Sequence, residues 1–179
     1  MEKNSESPAH FSLQNVEEEL QQLQRHYGLI LQSAAEGIYG LSSQGHTTFV
    51  NRAAADMIGW ELEDLIAKPQ HDILHHTRPD GTHYPAHECP IYAAFKDGEV
   101  HTVDHEVFWR KDGSSFPVEY TSTPIKGEND ELLGAVVVFR DITRRKENER
   151  KLEESNAELL HALTEVEKLK AQLEAENKY

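Results

Sequence analysis

With 179 residues, 37% of them apolar, and a formal charge of −14, the chain has room for one sizeable core and a surplus of polar helix. The acidic balance, without a cluster of Lys and Arg, excludes direct nonspecific binding to nucleic acid, which needs clustered cations against phosphate. A single cysteine, Cys89, excludes an internal disulfide and fits a reducing compartment. No apolar run approaches the ~20 residues of a membrane span and the N-terminus lacks a basic segment followed by an apolar one, so a soluble, cytoplasmic chain with no membrane partner is expected.

Residues 1–10 are polar, carry Pro8 and are expected to be disordered. Over residues 11–30 the apolar positions Leu13, Val16, Leu20, Leu23, Tyr27 and Ile30 recur in steps of three and four through Glu and Gln. A helix packed on its own domain has the same period, but the polar remainder favours the narrow seam of a coiled coil. Gly37 to Leu41 and Thr47 to Val50 read as short strands around a turn at Ser42 to Gly45. Asn51 is placed to cap a helix with Ala54, Met57 and Ile58 on one face, which Gly59 stops in a left-handed conformation. A second short helix puts Leu62, Leu65 and Ile66 on one face ahead of Pro69. His71 to Ala86, punctuated by Pro79, Asp80, Gly81 and Pro85, is expected to be a loop. Pro90 suits the first turn of a third helix carrying Ile91, Ala94 and Phe95, which ends at Asp97 and Gly98.

Three longer strands follow, Val100 to Arg110, Ser114 to Ile125 and Leu132 to Phe139, joined by turns at Lys111 to Gly113 and Gly127 to Asp130. In the second of them Phe116, Val118 and Tyr120 alternate with Pro117, Glu119 and Thr121, one face in and one face out. Two strands, three short helices and three strands predict an α+β fold, an antiparallel sheet with its helices on one face. At FRDITRRK, residues 139–146, the last strand passes into a polar helix with no Gly or Pro between them. Along that helix Leu152, Leu159, Val166 and Leu173 recur every seven residues, with Asn156 and Lys170 at alternate core positions, where polar residues specify register at some cost in stability. Both seams need partners, and a parallel homodimer held at both ends is expected.

Four segments, SAAEGIYGLSSQG, FVNRAAADMIGW, EVFWRKDGSSFPVEYTSTPI and GAVVVFRDITRRK, resemble in this order the PAS domain family, as found in the sensor modules of bacterial signalling proteins. The resemblance covers roughly Leu31 to Lys146. It implies a five-stranded sheet in the order 2-1-5-4-3, a pocket between sheet and helices, and dimerisation through flanking helices. The expected organisation is a tail over 1–10, a coiled-coil helix over 11–30, a PAS domain over 31–142 and a coiled-coil signalling helix over 143–179. The resemblance also implies that Asp141 and Thr143 join the last strand to the output helix. With Ile142 between them they are the expected coupling joint, and an Asp at a helix start is suited to accept backbone N–H bonds. The closing LKAQLEAENKY is similar to the helix before the ATPase domain of sigma-54-dependent activators, and similar helices precede histidine kinase and cyclase domains. An effector domain in cis, serving transcription activation or a two-component phosphorelay, is therefore expected; a passive dimerisation scaffold without ligand and a haem- or metal-based gas or redox sensor are the alternatives.

The residue types with ligand chemistry are His71, His75, His76, His83, His87 and Cys89. Imidazole and thiolate suit transition metals, but the spacing matches no zinc motif, and a His-rich exposed loop is the commoner arrangement. Folding is accordingly expected to need no metal. By resemblance the pocket holds haem, flavin, a small metabolite or nothing. An axial haem ligand would come from the approach to the third helix, with His87 the candidate, while Cys89 in HECPI lacks the Asn-Cys-Arg-Phe-Leu context of the light-sensing branch. No cation beside Cys89 lowers its pKa, so a buried inert thiol is expected. Neither a phosphate-binding Gly-rich loop, GxSxG nor HExxH occurs, so no enzyme is expected. His161 lacks the phosphoacceptor context of a kinase, and Trp60 and Trp109 read as packing residues, Trp109 also as a candidate for the dimer contact.

Overall fold

The computed structural model describes residues 8–176; residues 1–7 of the expected tail, residues 177–179 and the side chain of Leu13 lie outside the described residues. The chain divides into two compact units, one ending at Arg140 and the other beginning at Asp141.

The first unit opens with helix α1, Pro8–Ser33, which starts inside the segment expected to be disordered. Proline suits that start, because its fixed φ fits the first turn and its missing N–H would be unpaired there in any case. Val16, Leu20, Leu23, Tyr27 and Ile30 are all exposed along α1, so the seam faces outward and is not packed on the domain. Strands β1 (Gly37–Ser42) and β2 (Thr47–Val50) form the first hairpin. Helices α2 (Arg52–Ile58), α3 (Leu62–Leu65), α4 (Gln70–Leu74) and α5 (Pro90–Asp97) follow, with a 3-10 turn at Ala86–Glu88 before the last. Strands β3 (His101–Trp109), β4 (Ser115–Lys126) and β5 (Leu132–Asp141) complete an antiparallel sheet in the order β2-β1-β5-β4-β3. The core lies between one sheet face and the helices: Tyr39, Leu41, Phe108, Phe116, Val118, Tyr120, Val137 and Phe139 meet Ala54, Ile58, Leu65, Leu74, Ile91 and Ala94.

Local chemistry explains most of the boundaries. Gly59 and Gly98 sit at φ +71° and +74°, the left-handed conformation that ends α2 and α5 with a cap hydrogen bond to the preceding turn. Two expectations need correction. Ile66 does not continue the face of Leu62 and Leu65: it is extended, 42% exposed, and followed by Ala67 at φ +61°, so α3 ends one residue early. The segment from His71 is not loop throughout, because α4 spends one helical turn burying His71 and Leu74.

The register of β3 on β4 contains a bulge. Val103 pairs with Tyr120 and Glu106 with Val118, so three steps on β3 answer two on β4. An extra residue of this kind reverses which alternate side chains face inward. Val103 is buried before it, and Glu106 and Phe108 turn toward the core after it.

Asn51 ties the start of α2 to the rest of the unit. Its Oδ1 accepts from the N–H groups of Ile38 and Ala54 at 2.9 Å each, and its Nδ2 donates to the carbonyls of Leu31 at 3.1 Å and Glu36 at 2.9 Å. One fully buried amide thus fixes the end of α1, the entry to β1 and the N-terminus of α2.

The second unit is α6, Thr143–Glu176, a 34-residue helix. Asp141 Oδ1 accepts from the Thr143 N–H at 2.8 Å and from its hydroxyl, which caps the first turn. Leu152, Leu159, Val166 and Leu173 are exposed, and so is Leu163, which stands midway between Asn156 and Lys170 at the alternate core position and gives that row one apolar member.

Asn51→Ala removes a cap and takes the side-chain donor from the partly buried carbonyls of Leu31 and Glu36, an expected loss of about 2 to 4 kcal/mol in urea unfolding. Asn51→Asp should not rescue it, because a carboxylate oxygen would then face those carbonyls. A variant within about 1 kcal/mol of the parent would remove this side chain from its organising place.

Candidate functional site

The densest polar cluster lies inside the domain, between α4, the approach to α5, and the bulged segment of β3. Glu106 is its centre. Its carboxylate accepts from the hydroxyls of Tyr84 and Tyr120 at 2.7 Å each, and Nε2 of His75 lies 2.8 Å from Oε2. The His75 contact has hydrogen-bond distance but not its alignment, so it acts chiefly through charge and dipole. Burial opposes ionisation of Glu106, but His75 and the hydroxyls of Tyr120 and Tyr84 outweigh it and lower its pKa to about 2. Burial and then the neighbouring Glu106 push both tyrosines well above the ordinary phenol value.

On the other side of His75, Nδ1 is 3.1 Å from Cys89 Sγ. Burial pushes the Cys89 thiol up to about 12, against the N–H groups of Tyr92 and Ile91 at the start of α5, which favour the thiolate. The thiol is therefore protonated at neutral pH and donates to Nδ1. The Glu106 carboxylate is a pure acceptor, which places the His75 proton on Nε2. The result is a continuous relay, Cys89 to His75 to Glu106, closed by two tyrosines.

His71 adds a second imidazole. Its Nε2 lies 2.7 Å from the Tyr84 carbonyl oxygen, which can only accept, so Nε2 carries the proton. Burial lowers the His71 pKa, with the bond to Tyr84 opposing, and the ring is held neutral with a lone pair on Nδ1. That Nδ1 is buried and has no hydrogen-bond partner. His71, His75 and Cys89 offer donor atoms within 4.8 Å of one another.

The remaining expected ligands are not brought together. His87 is three-quarters exposed on the 3-10 turn, two residues from the buried Cys89, and does not face the interior; this corrects its reading as the axial haem candidate. His83 is exposed, and His76 is partly exposed and stacks on Trp109 at 5.5 Å. Trp109 Nε1 donates to the Thr77 carbonyl at 2.8 Å, a packing role that fastens the loop after α4 to β3. The surface reading of the whole histidine cluster fails for His71 and His75, which are 4% and 2% exposed. A one-turn helix with three polar residues has no visible period, which is why sequence reasoning missed His71 as a core residue. Glu106 was missed because the bulge overrides strand alternation.

The space around these groups limits what they can do. The enclosed region between Tyr39, Leu41, His71, Leu74, Cys89 and Tyr92 has no room for a water-sized sphere. Haem does not fit this packing. A separate open cavity of about 340 Å³ lies outside, lined by Thr77, Arg78, Tyr84, His105 and Val107, with His75 and Glu106 at its wall. Cys89, His75 and Glu106 follow the order of a nucleophile relay, but at 1% exposure and a thiol pKa of about 12 the sulfur is neither reachable nor ionised.

Residues 35–144 match the family model described as PAS domain. The signal transduction histidine-protein kinase AtoS of Escherichia coli (strain K12) is 27% identical over 155 residues, 87% of this chain and 24% of that protein. The probable diguanylate cyclase DgcE of the same organism is 28% identical over 141 residues, 78% of this chain and 12% of that protein. The chain thus spans a quarter or less of the length of these relatives. Among solved structures, a PAS domain from Colwellia psychrerythraea superposes with a TM-score of 0.57 at 22% identity, covering 68% of this chain and 98% of that one.

The folded Glu106 pKa lies below the ordinary carboxyl value of 4.5, so its contribution is present above about pH 4.5 and is lost as pH falls toward 2. The shift corresponds to roughly 3 kcal/mol. With chelator present, Glu106→Gln should lower the urea midpoint at pH 7 and flatten its acid dependence, the two proteins converging near pH 2. Asp80, Asp97 and Asp112, also lowered by local hydrogen bonds, titrate in both proteins and cancel in the comparison. Parallel pH profiles would show that Glu106 is not the ionised centre.

Proposed function

The chain belongs to the PAS domain family, and from that premise we propose that it is the dimeric, cytoplasmic sensory module of a signalling protein, passing its signal through α6 to an effector domain C-terminal to residue 179. The module carries no catalysis of its own. The observation that carries this reading is the exit: β5 runs to Asp141, and the same aspartate caps α6 through Thr143, with no Gly or Pro between strand and helix. Similarity to AtoS extends beyond residues 35–144, which supports the flanking helices as part of the module. The printed names of the relatives, a histidine kinase and a diguanylate cyclase, support an effector of phosphorelay or cyclase type; a transcription activator of the sigma-54-dependent class is the other outcome.

Dimerisation is supported by the outward apolar rows. Val16, Leu20, Leu23, Tyr27 and Ile30 on α1, and Leu152, Leu159, Leu163, Val166 and Leu173 on α6, are each about half exposed or more. Rows of this length in a narrow stripe are stabilised by a second copy in register. Asn156 and Lys170 weaken the α6 row and leave alternative packings close in free energy, which gives a ligand something to bias. Coupling of that kind amounts to about 1 to 3 kcal/mol. No helix among the described residues is long and apolar enough to cross a membrane.

Two measurements test the reading. Sedimentation equilibrium of the full chain should give a dimer at micromolar concentration, and Leu159→Asp together with Leu20→Asp should shift it to monomer; a monomeric parent overturns the dimer. In a fusion of residues 1–179 to a reporter kinase, Asp141→Ala should abolish the response to stimulus at equal protein level, with the fold and the dimer retained. An unchanged response would move the module to a passive dimerisation scaffold.

A further inference from the structure

We propose that His71, His75 and Cys89 form a buried site for a single d10 transition-metal cation, Cu⁺ or Zn²⁺, with two imidazole nitrogens and one thiolate as ligands. Three side chains from two separated segments, α4 with the residue after it and the start of α5, converge with donor atoms within 4.8 Å of one another. Ligands on one such metal, at bond lengths of about 2.0 to 2.3 Å, lie roughly 3.3 to 3.8 Å apart, so small side-chain rotations close the site. His75 Nδ1 and Cys89 Sγ are already at 3.1 Å.

Each ligand has a polar group on its outer side, hydrogen-bonded for His71 and in electrostatic contact for His75. His71 is held by its Nε2–H on the Tyr84 carbonyl, and its free Nδ1 is a buried lone pair without a partner. Such an atom is costly to bury, and a cation is the partner that a lone pair accepts without a new hydrogen-bond donor. His75 presents Nε2 to Glu106 at 2.8 Å, so a carboxylate stands behind the ring on the side away from Cys89. Cys89 stands at the N-cap position of α5; burial holds its thiol protonated, the N–H groups of Tyr92 and Ile91 offset part of that, and the bond to the metal supplies the rest. Binding replaces the S–H···Nδ1 contact: the sulfur–hydrogen bond breaks heterolytically, the sulfur keeps the electron pair and bonds the metal, and one proton leaves to solvent.

Thiolate with imidazole selects copper and zinc over harder cations. The surrounding space holds no water, which disfavours the fourth ligand that zinc usually takes and ranks Cu⁺ first. The outer cavity, at whose wall His75 and Glu106 lie, is the route of entry. Use of the ion as the domain's input rests on the sensory role proposed above; binding itself does not.

The test uses the full chain, reduced and metal-free, titrated with Co²⁺ and, anaerobically, with Cu⁺. Because Cys89 is the sole cysteine, any thiolate-to-metal charge-transfer band reports it. The expected result is a near-ultraviolet band saturating at one ion per chain, with one proton released per ion. Cys89→Ser, close to isosteric, should abolish the band with an unchanged circular dichroism spectrum, and His71→Ala should weaken binding at least tenfold. His87→Ala, on the exposed turn, should leave both unchanged. Displacement of cobalt by one equivalent of Cu⁺ or of Zn²⁺ identifies the ion and supports the site in either case. The proposal is overturned if neither Co²⁺ nor Cu⁺ produces a thiolate band in the parent protein, or if Cys89→Ser binds as tightly as the parent. These outcomes are read without an effector, so they are independent of the signalling tests.

Discussion

A largely buried carboxylate must find donors or remain protonated, and the inner side of this domain at β3 is arranged around that requirement at Glu106. Three rings, His75, Tyr84 and Tyr120, converge on it from α4, the loop before α5 and strand β4. Each is in turn part of the aromatic packing: His75 meets Phe108 edge-on at 5.3 Å and Tyr84 at 4.8 Å, and Tyr120 stacks on Phe108 at 5.6 Å. A network of this kind is stabilising only when every member is satisfied, so loss of one donor affects its neighbours as well. Glu106 reaches the interior because β3 is bulged, and the bulge therefore belongs to the site as much as the carboxylate does.

The same network explains why the pocket expected of the family is closed here. Tyr39, His71, His75 and Tyr92 occupy the volume between sheet and helices, leaving a filled interior and an open cavity on its outer side. A single ion bound by His71, His75 and Cys89, or a metabolite in the outer cavity touching His75 and Glu106, would act on the same relay of side chains. Both would meet α4, α5 and β3 at once, which is the set of elements whose relative positions the network holds.

At the exit, Arg140 pairs with Glu36 at the entry to β1 and with Glu119 on β4, so the end of β5 is fastened to two neighbouring strands. One residue later Asp141 caps α6. The change from sheet to helix is completed within three residues, and each of them has a defined bonding role or place.

Much of this was present in the chain read alone. The five-stranded order was implied only by the family resemblance, whereas the strands with alternating Phe116, Val118 and Tyr120, the capping Asn51, the left-handed stops at Gly59 and Gly98 and the apolar rows of α1 and α6 follow from local chemistry and period. These features depend on neighbours within a few residues, which sequence displays directly. The candidate site depends on contacts between residues far apart, and there local patterns mislead. His71 sits on a helix of one turn, too short to show a period; Glu106 faces inward only because an extra residue shifts the register of β3; His87, the better candidate by position, is turned outward while Cys89, two residues on, is turned in. Sequence alone determined the family, the elements and the presence of outward apolar rows, because period and capping are local. Which histidines meet the cysteine, and which carboxylate orients them, was decided by the tertiary structure, because only packing brings α4, the start of α5 and the bulge of β3 into contact.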